Sequence, residues 1–127
     1  MSVATILVVD DSKLARVIAR RALSRAGYDT LEAQNGHEGL QMALEHKPDC
    51  IVTDLLMPEM DGLQFLLAMR EQGLQTPVVV VTANIQKVIR EECMSSGAFD
   101  VINKPEGQGD VFLQIVADAL NSRHEGG

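Results

Sequence analysis

The chain has no tryptophan, one tyrosine and three phenylalanines. Its core must therefore be aliphatic, built from Val, Ile, Leu, Ala and Met. Cys50 and Cys93 stand far apart, with no Cys-x-x-Cys and no histidine at ligand spacing. That excludes a disulfide framework and a zinc site, and predicts two buried thiols in a reducing cytosol. His37, His46 and His124 are scattered among polar residues and read as surface histidines. No aliphatic run approaches the ~18 residues a membrane span needs. The start, Met1 to Thr5, carries no positive region and leads into a strand, so no signal peptide is read. Positive charge is scarce: Lys and Arg total 11 against 18 Asp and Glu, a net charge of −7. This balance argues against a general nucleic-acid or anionic-membrane binder and leaves a cation welcome. No repeat, low-complexity segment or linker interrupts the 127 residues, a length for one domain.

What is present is a set of short apolar runs that each deliver a polar residue. Ile6–Val9 leads into Asp10-Asp11, and Cys50–Thr53 into Asp54. Val78–Val81 leads into Thr82, and Val101–Asn103 into Lys104-Pro105. Runs of buried-strand length that end in functional groups mark a parallel α/β sheet, whose ligands sit outside the carboxyl ends of the strands. Helical stripes separate the runs. The first helix spans about Lys13–Ala26, with Ala15, Ile18, Ala19, Ala22 and Ala26 inward and Gly27 as its cap. A short strand near Thr30–Ala33 precedes a second helix near Gly36–His46 that buries Leu40, Ala43 and Leu44. The third runs from about Gly62 to Gln72 on Leu63, Leu66, Leu67 and Met69. The fourth covers about Gln86–Ser96. The fifth starts near Asp110, a candidate N-cap, and buries Val111, Phe112, Ile115 and Ala119. The pattern is (βα)5, a doubly wound parallel five-stranded sheet with helices on both faces. The domain covers residues 1–121, and Ser122–Gly127 reads as a frayed, disordered tail.

Asp10-Asp11, Asp54 with its following Leu55-Leu56-Met57-Pro58, Thr82-Ala83 and Lys104-Pro105 form one ordered set. With this set the chain resembles the receiver domain of bacterial response regulators over essentially its whole length. Asn35-Gly36 after the second strand and Gly97-Ala98 before the fifth support the likeness. The resemblance implies a flavodoxin-like fold with strand order 2-1-3-4-5. It also implies that Asp54 accepts a phosphoryl group from a phosphohistidine. A carboxylate can attack phosphorus to give an acyl phosphate, but near Asp10 and Asp11 it needs a cation to offset like charge. Mg2+ suits the set, because it prefers oxygen ligands and keeps waters and substrate phosphate; Mn2+ can substitute.

By the same resemblance Asp11, Asp54 and the Leu56 carbonyl are direct metal ligands, and Asp10 binds through water. Lys104 gives a compact positive charge to a phosphoryl oxygen, and Thr82 a hydroxyl hydrogen bond. The N–H groups of Leu55 and Ala83 complete the cradle. Lys104-Pro105 is expected to be a cis peptide. Implied partners are a sensor histidine kinase or histidine phosphotransfer domain, a phosphatase, and a downstream protein target. No direct nucleic-acid or membrane contact is expected, and the location implied is cytoplasmic. No output domain follows the fifth helix, so a stand-alone receiver is expected, acting as a chemotaxis regulator, relay intermediate or phosphate sink.

Each residue has a plainer reading alone. Asp10-Asp11 can cap a helix, Asp54 can be a solvated loop residue, Thr82 a strand end and Lys104 a surface charge. Four such residues at four strand ends fit chance poorly. A haloacid-dehalogenase-type phosphatase also forms an aspartyl phosphate, but needs a second Asp where Leu56 stands. A flavodoxin needs hydroxyls and N–H donors where Asp10 and Asp11 stand. The chain departs from the receiver pattern at Val101, where an aromatic is usual; Phe99 shares its strand parity but comes two residues early. Glu106 replaces the frequent Phe after Lys-Pro. The output switch is then expected to run through the loop after Thr82 and the fourth helix, with Val101 giving a modest apolar contact to a partner. Lys13, Arg16, Arg20, Arg21 and Arg25 lie on the first helix. They read as a solvated face or as a docking surface for the phosphodonor.

Overall fold

Runs of β-branched residues bounded by turns become strands here, because a pleated and doubly buried ribbon suits stiff side chains. The computed structural model describes residues 3–83, 86–104 and 109–125. Its elements are β1 (Thr5–Val9), α1 (Lys13–Arg25), β2 (Asp29–Ala33), α2 (Gly36–His46), β3 (Cys50–Asp54), α3 (Gly62–Glu71), β4 (Val78–Thr82), α4 (Lys87–Ser95), β5 (Asp100–Asn103) and α5 (Asp110–Glu125). All strand pairs are parallel, in the order β2-β1-β3-β4-β5. The expected doubly wound, flavodoxin-like sheet is present.

β3 and β4 are buried along their whole length, which is why they read as continuous apolar runs and not as alternations. Alternate side chains leave the sheet on opposite faces. Leu7, Val9, Ile51, Val80 and Val101 pack with Phe65 and Met69 of α3 and Cys93 of α4. Ile6, Val8, Val52, Val81 and Ile102 pack with Leu23 of α1 and Phe112 and Val116 of α5. Phe65 and Phe112 are both 0% exposed, one in each layer. Each contributes roughly 1.5–3 kcal/mol relative to an exposed ring. Cys50 and Cys93 are free and buried, as expected.

Local signals set the helix starts. Ser12 caps α1, its hydroxyl accepting the Ala15 N–H at 3.2 Å. Asn35 caps α2 through the Glu38 N–H at 2.8 Å. Asp61 and Gln64 form a reciprocal capping box on α3. Such caps are each worth about 1 kcal/mol. Asp110 is not the cap of α5: it is already helical, and the Gly109 carbonyl accepts the Leu113 N–H.

Several expected inward positions lie elsewhere. Ala26 is exposed at the C-cap of α1, and Leu23 takes the inward place four residues after Ala19. Leu44, Leu67 and Val111 are exposed. α2 buries Gly36 against Met60 and turns Gly39 and Ala43 inward, α3 turns Phe65, Leu66 and Met69, and α5 turns Phe112, Val116 and Ala119. The glycines allow close approach: a Cβ on Gly39 would lie 3.0 Å from Val9 and 3.1 Å from Phe65. α5 continues through Glu125, past the tail expected from Ser122. Ser122 donates its hydroxyl to the Ala119 carbonyl at 2.7 Å, and no helix breaker precedes Gly126.

Candidate functional site

Parallel register brings the polar strand ends together. Val9 pairs with Thr53, so the next residues, Asp10 and Asp54, stand side by side across β1 and β3. Asp54 pairs with Val81, which places Thr82 one residue beyond it. Thr82 pairs with Asn103, which brings Lys104 to the same edge. β1 and β3 are also where the strand order reverses, the point at which a doubly wound sheet opens a crevice. Gly62 lets α3 begin directly against this edge. Its N–H donates to the Leu55 carbonyl at 2.8 Å, and a Cβ there would lie 2.5 Å from the Asp54 carbonyl oxygen.

Lys104 Nζ lies 3.0 Å from Asp54 Oδ2 and 3.4 Å from Asp10 Oδ2. Asp10 and Asp54 are buried, and Thr82 is 2% exposed. Asp11 is exposed at the rim. One carboxylate oxygen from each of Asp10, Asp11 and Asp54 lies within 4.8 Å of the others. Burial pushes the Asp10 carboxyl above its ordinary pKa, and the Asp54 charge adds to the rise. The Ser12 N–H, donated to Asp10 Oδ1 at 2.9 Å, and Lys104 pull it back only in part. Burial works against the Lys104 ammonium, but Asp54 and Asp10 outweigh it and hold its pKa above the ordinary value. One ammonium therefore serves two neighbouring carboxylates. The small residues of α1 leave an apolar cavity of about 440 Å³ beside this cleft, floored by Val8, Val52 and Val81 and walled by Ile18 and Phe112.

Asp10, Asp11, Asp54, Thr82 and Lys104 thus meet as expected from their strand ends. Leu56 is 72% exposed at the start of the loop after β3. The expected use of the Leu55 N–H is not met. That N–H donates to the Val81 carbonyl at 3.0 Å, because the ladder between β3 and β4 continues one residue past Asp54. Among the described residues the next N–H, on Leu56, has no acceptor. Ala83 is exposed at the end of β4 and borders the cavity. The Lys104–Pro105 bond lies outside the described residues, as does Glu106.

Val101 is 2% exposed and buried against the α3–α4 layer, so it offers no surface contact to a partner. Its carbonyl accepts Arg90 Nη1 at 2.6 Å, and Arg90 Nη2 pairs with Asp100 at 2.8 Å. Phe99 does not share its parity: it precedes β5 and packs into the opposite layer. Arg16 does not belong to the solvated face of α1. Its side chain is 13% exposed, pairs with Glu32 at 3.2 Å and donates to the Asp10 carbonyl at 2.6 Å. Glu32 does not stand out in the sequence, and Arg16 stands out only among the cations of α1 and not as part of the cleft. The available signal was a charge in a strand, Glu32, together with a cation beside the inward stripe one turn into α1.

Fold and cleft define the class: a doubly wound α/β domain whose strand ends gather carboxylates, a hydroxyl and an ammonium. The pattern of the response regulator receiver domain matches residues 6–116, and the chain belongs to that family. It is 39% identical over 112 residues to the transcriptional regulatory protein SrrA of Staphylococcus aureus. That match covers 88% of this chain and 46% of SrrA, so the chain spans about half the length of this relative. The signal receiver domain of NarL from Mycobacterium tuberculosis superposes with a TM-score of 0.85 at 29% identity, over 94% of this chain and 98% of that one. The chemotaxis protein CheY4 of Vibrio cholerae gives a TM-score of 0.81 at 30% identity, over 90% and 99%. The protein is a receiver domain of the two-component type. Among the described residues no helix is long and apolar enough to cross a membrane.

Proposed function

We propose that Asp54 accepts a phosphoryl group from a phosphohistidine, and that the chain passes this state on by protein contact. The carrying observation is Lys104 Nζ at 3.0 Å from Asp54 and 3.4 Å from Asp10, at the mouth of a three-carboxylate cluster. An Asp54 oxygen forms the new O–P bond as the N–P bond of the donor breaks, and the leaving imidazole regains a proton from water. Lys104 holds one phosphoryl oxygen and the Thr82 hydroxyl donates to another. The N–H groups of Leu56 and Ala83 complete the cradle. The work done is positioning and charge stabilisation, as phosphoryl transfer demands. The chain catalyses only its own phosphorylation and dephosphorylation.

The donor set suits a hard cation, with three carboxylate oxygens within 4.8 Å and no sulfur or imidazole among them. Asp11 and Asp54 would hold Mg2+ directly with the Leu56 carbonyl, and Asp10 would hold it through water; Mn2+ would suit the same ligands. Once bound, the ion supplies positive charge to the carboxylates and to the phosphoryl oxygens. The donor is a sensor histidine kinase or histidine phosphotransfer domain. It docks on the exposed part of α1, where Lys13, Leu14, Arg21 and Arg25 face solvent. A phosphatase and a downstream protein target complete the circuit. A cytoplasmic location accords with two buried thiols that are kept reduced.

Incubation with acetyl phosphate and Mg2+, borohydride trapping and peptide mapping test the reading. Label on Asp54 is expected. Label on another Asp, or label persisting in Asp54→Asn, would refute it.

A further inference from the structure

We infer that Arg16 is a positioning residue for the cation site, acting through the backbone of Asp10 with Glu32 behind it; this rests on the Mg2+ reading above. Asp10 is gripped at each polar handle. Its N–H donates to the Ala33 carbonyl at 3.1 Å, and its Oδ1 accepts the Ser12 N–H at 2.9 Å. Its Oδ2 faces Lys104 at 3.4 Å. Its carbonyl accepts Arg16 Nη1 at 2.6 Å. That carbonyl belongs to the peptide joining Asp10 to Asp11, so the guanidinium sets the plane from which Asp11 departs. Asp11 needs such a hold, because its exposed carboxylate has no hydrogen bond or ion pair among the described residues.

The far side of the guanidinium is held as well. Arg16 Nε pairs with Glu32 Oε1 at 3.2 Å, and Glu32 Oε2 pairs with Arg20 Nη1 at 3.0 Å. Glu32 sits in β2 opposite Val8, so the chain of contacts runs from α1 through β2 to the end of β1. A planar fork can bond a carbonyl and a carboxylate at once, and an ammonium on a flexible stem cannot hold both in fixed geometry. Groups that orient metal ligands without touching the metal change affinity on the order of 10–100-fold when lost.

Electrostatics and positioning predict opposite signs. If Arg16 were only a nearby positive charge, its removal would tighten cation binding. If it positions the Asp10–Asp11 peptide, its removal weakens binding. The experiment is Mg2+ titration calorimetry on the full chain for wild type, Arg16→Met, Arg16→Lys and Glu32→Gln, with amide exchange of the metal-free proteins. Arg16→Met is expected to raise the Mg2+ Kd on the order of tenfold. Arg16→Lys keeps the charge and is expected not to restore it. Glu32→Gln, which leaves Arg16 in place, is expected to raise it roughly twofold to threefold, below the range for outright loss. Exchange at Asp10 and Ser12, whose N–H groups are bonded at this corner, is expected to quicken in Arg16→Met, while the strand interiors keep their protection. An Arg16→Met Kd equal to or tighter than that of wild type overturns the inference alone. Should Arg16→Met fail to fold, an unchanged Kd in both Arg16→Lys and Glu32→Gln overturns it. Absence of Mg2+ binding by wild type overturns the Mg2+ reading itself, and this inference with it.

Discussion

The two ends of the sheet balance charge differently. At the amino end, Arg70 and Asp49 bind backbone groups and Asp100 has its own arginine, Arg90. Arg70 donates to the carbonyls of Leu74, Thr76 and Gly97 and so joins the two loops that feed β4 and β5. Asp49 accepts the Thr5 N–H at 2.8 Å and joins the starts of β1 and β3. At the carboxyl end the carboxylates outnumber the cations that face them. Three carboxylates share one cleft, and Lys104 bridges two of them. At the amino end Arg70 and Asp49 close loops on backbone dipoles, and the Asp100 carboxylate is matched one to one by Arg90 at 2.8 Å. The carboxyl end keeps excess negative charge in a half-buried place, which a fold built for stability alone would avoid. That excess is what makes the cleft receptive to a cation and a phosphoryl group.

Exchanging the two ends in turn tests the contrast. The largest effect is expected at the carboxyl end. Lys104→Met should slow labelling by acetyl phosphate on the order of a hundredfold, the usual cost of removing one donor to transition-state charge. A slowing under about threefold, in a protein that still melts cooperatively, would break the assignment. At the amino end, Arg70→Met should cost stability and leave the chemistry alone. It removes the donors to three loop carbonyls, and about 2 kcal/mol in urea unfolding is expected. Unchanged stability, or a changed labelling rate at full occupancy of the fold, would show that the ends are not separable.

The smallest effect concerns Asp10 and pH. Its carboxyl has a raised pKa in the fold, so the folded state binds that proton more tightly than the unfolded state. In metal-free protein its contribution to stability therefore rises as pH falls from neutral through the folded value, and is complete below the ordinary value of 3.8. Asp10→Asn removes this dependence. Its stability advantage over wild type should be greatest near neutral pH and shrink as the solution is acidified. Parallel pH profiles for the two proteins would refute the raised value, and an advantage that grows on acidification would reverse its sign.

Much of this was legible in the chain. The apolar runs of Ile6–Val9, Cys50–Thr53 and Val78–Val81 became strands, and the residues after them became the cleft. Short connections and continuous burial leave such runs few alternatives to a parallel sheet. The misses share a cause. Leu44, Leu67, Val111 and Ala26 each fit a helical stripe, and spacing cannot say which of two adjacent stripes meets the sheet. The Leu55 N–H, expected in the cradle, is engaged by the Val81 carbonyl because the ladder runs one residue beyond the last strand residue. Phe99 lies on the face opposite to Val101 because parity holds only inside a strand, and β5 starts at Asp100.

The sequence by itself determined the class of fold, the family and the five polar residues of the cleft, because strand ends in a parallel sheet are read directly from where apolar runs stop. Only the tertiary structure decided which groups compensate one another. Lys104 lies 50 residues from Asp54 and nonetheless meets it at 3.0 Å. Arg16 reads as one surface cation among five and yet turns inward to the Asp10 carbonyl. Local pattern reports which side of an element is apolar. Pairing of charges depends on register and on which helix face meets the sheet, and these exist only once the chain has folded.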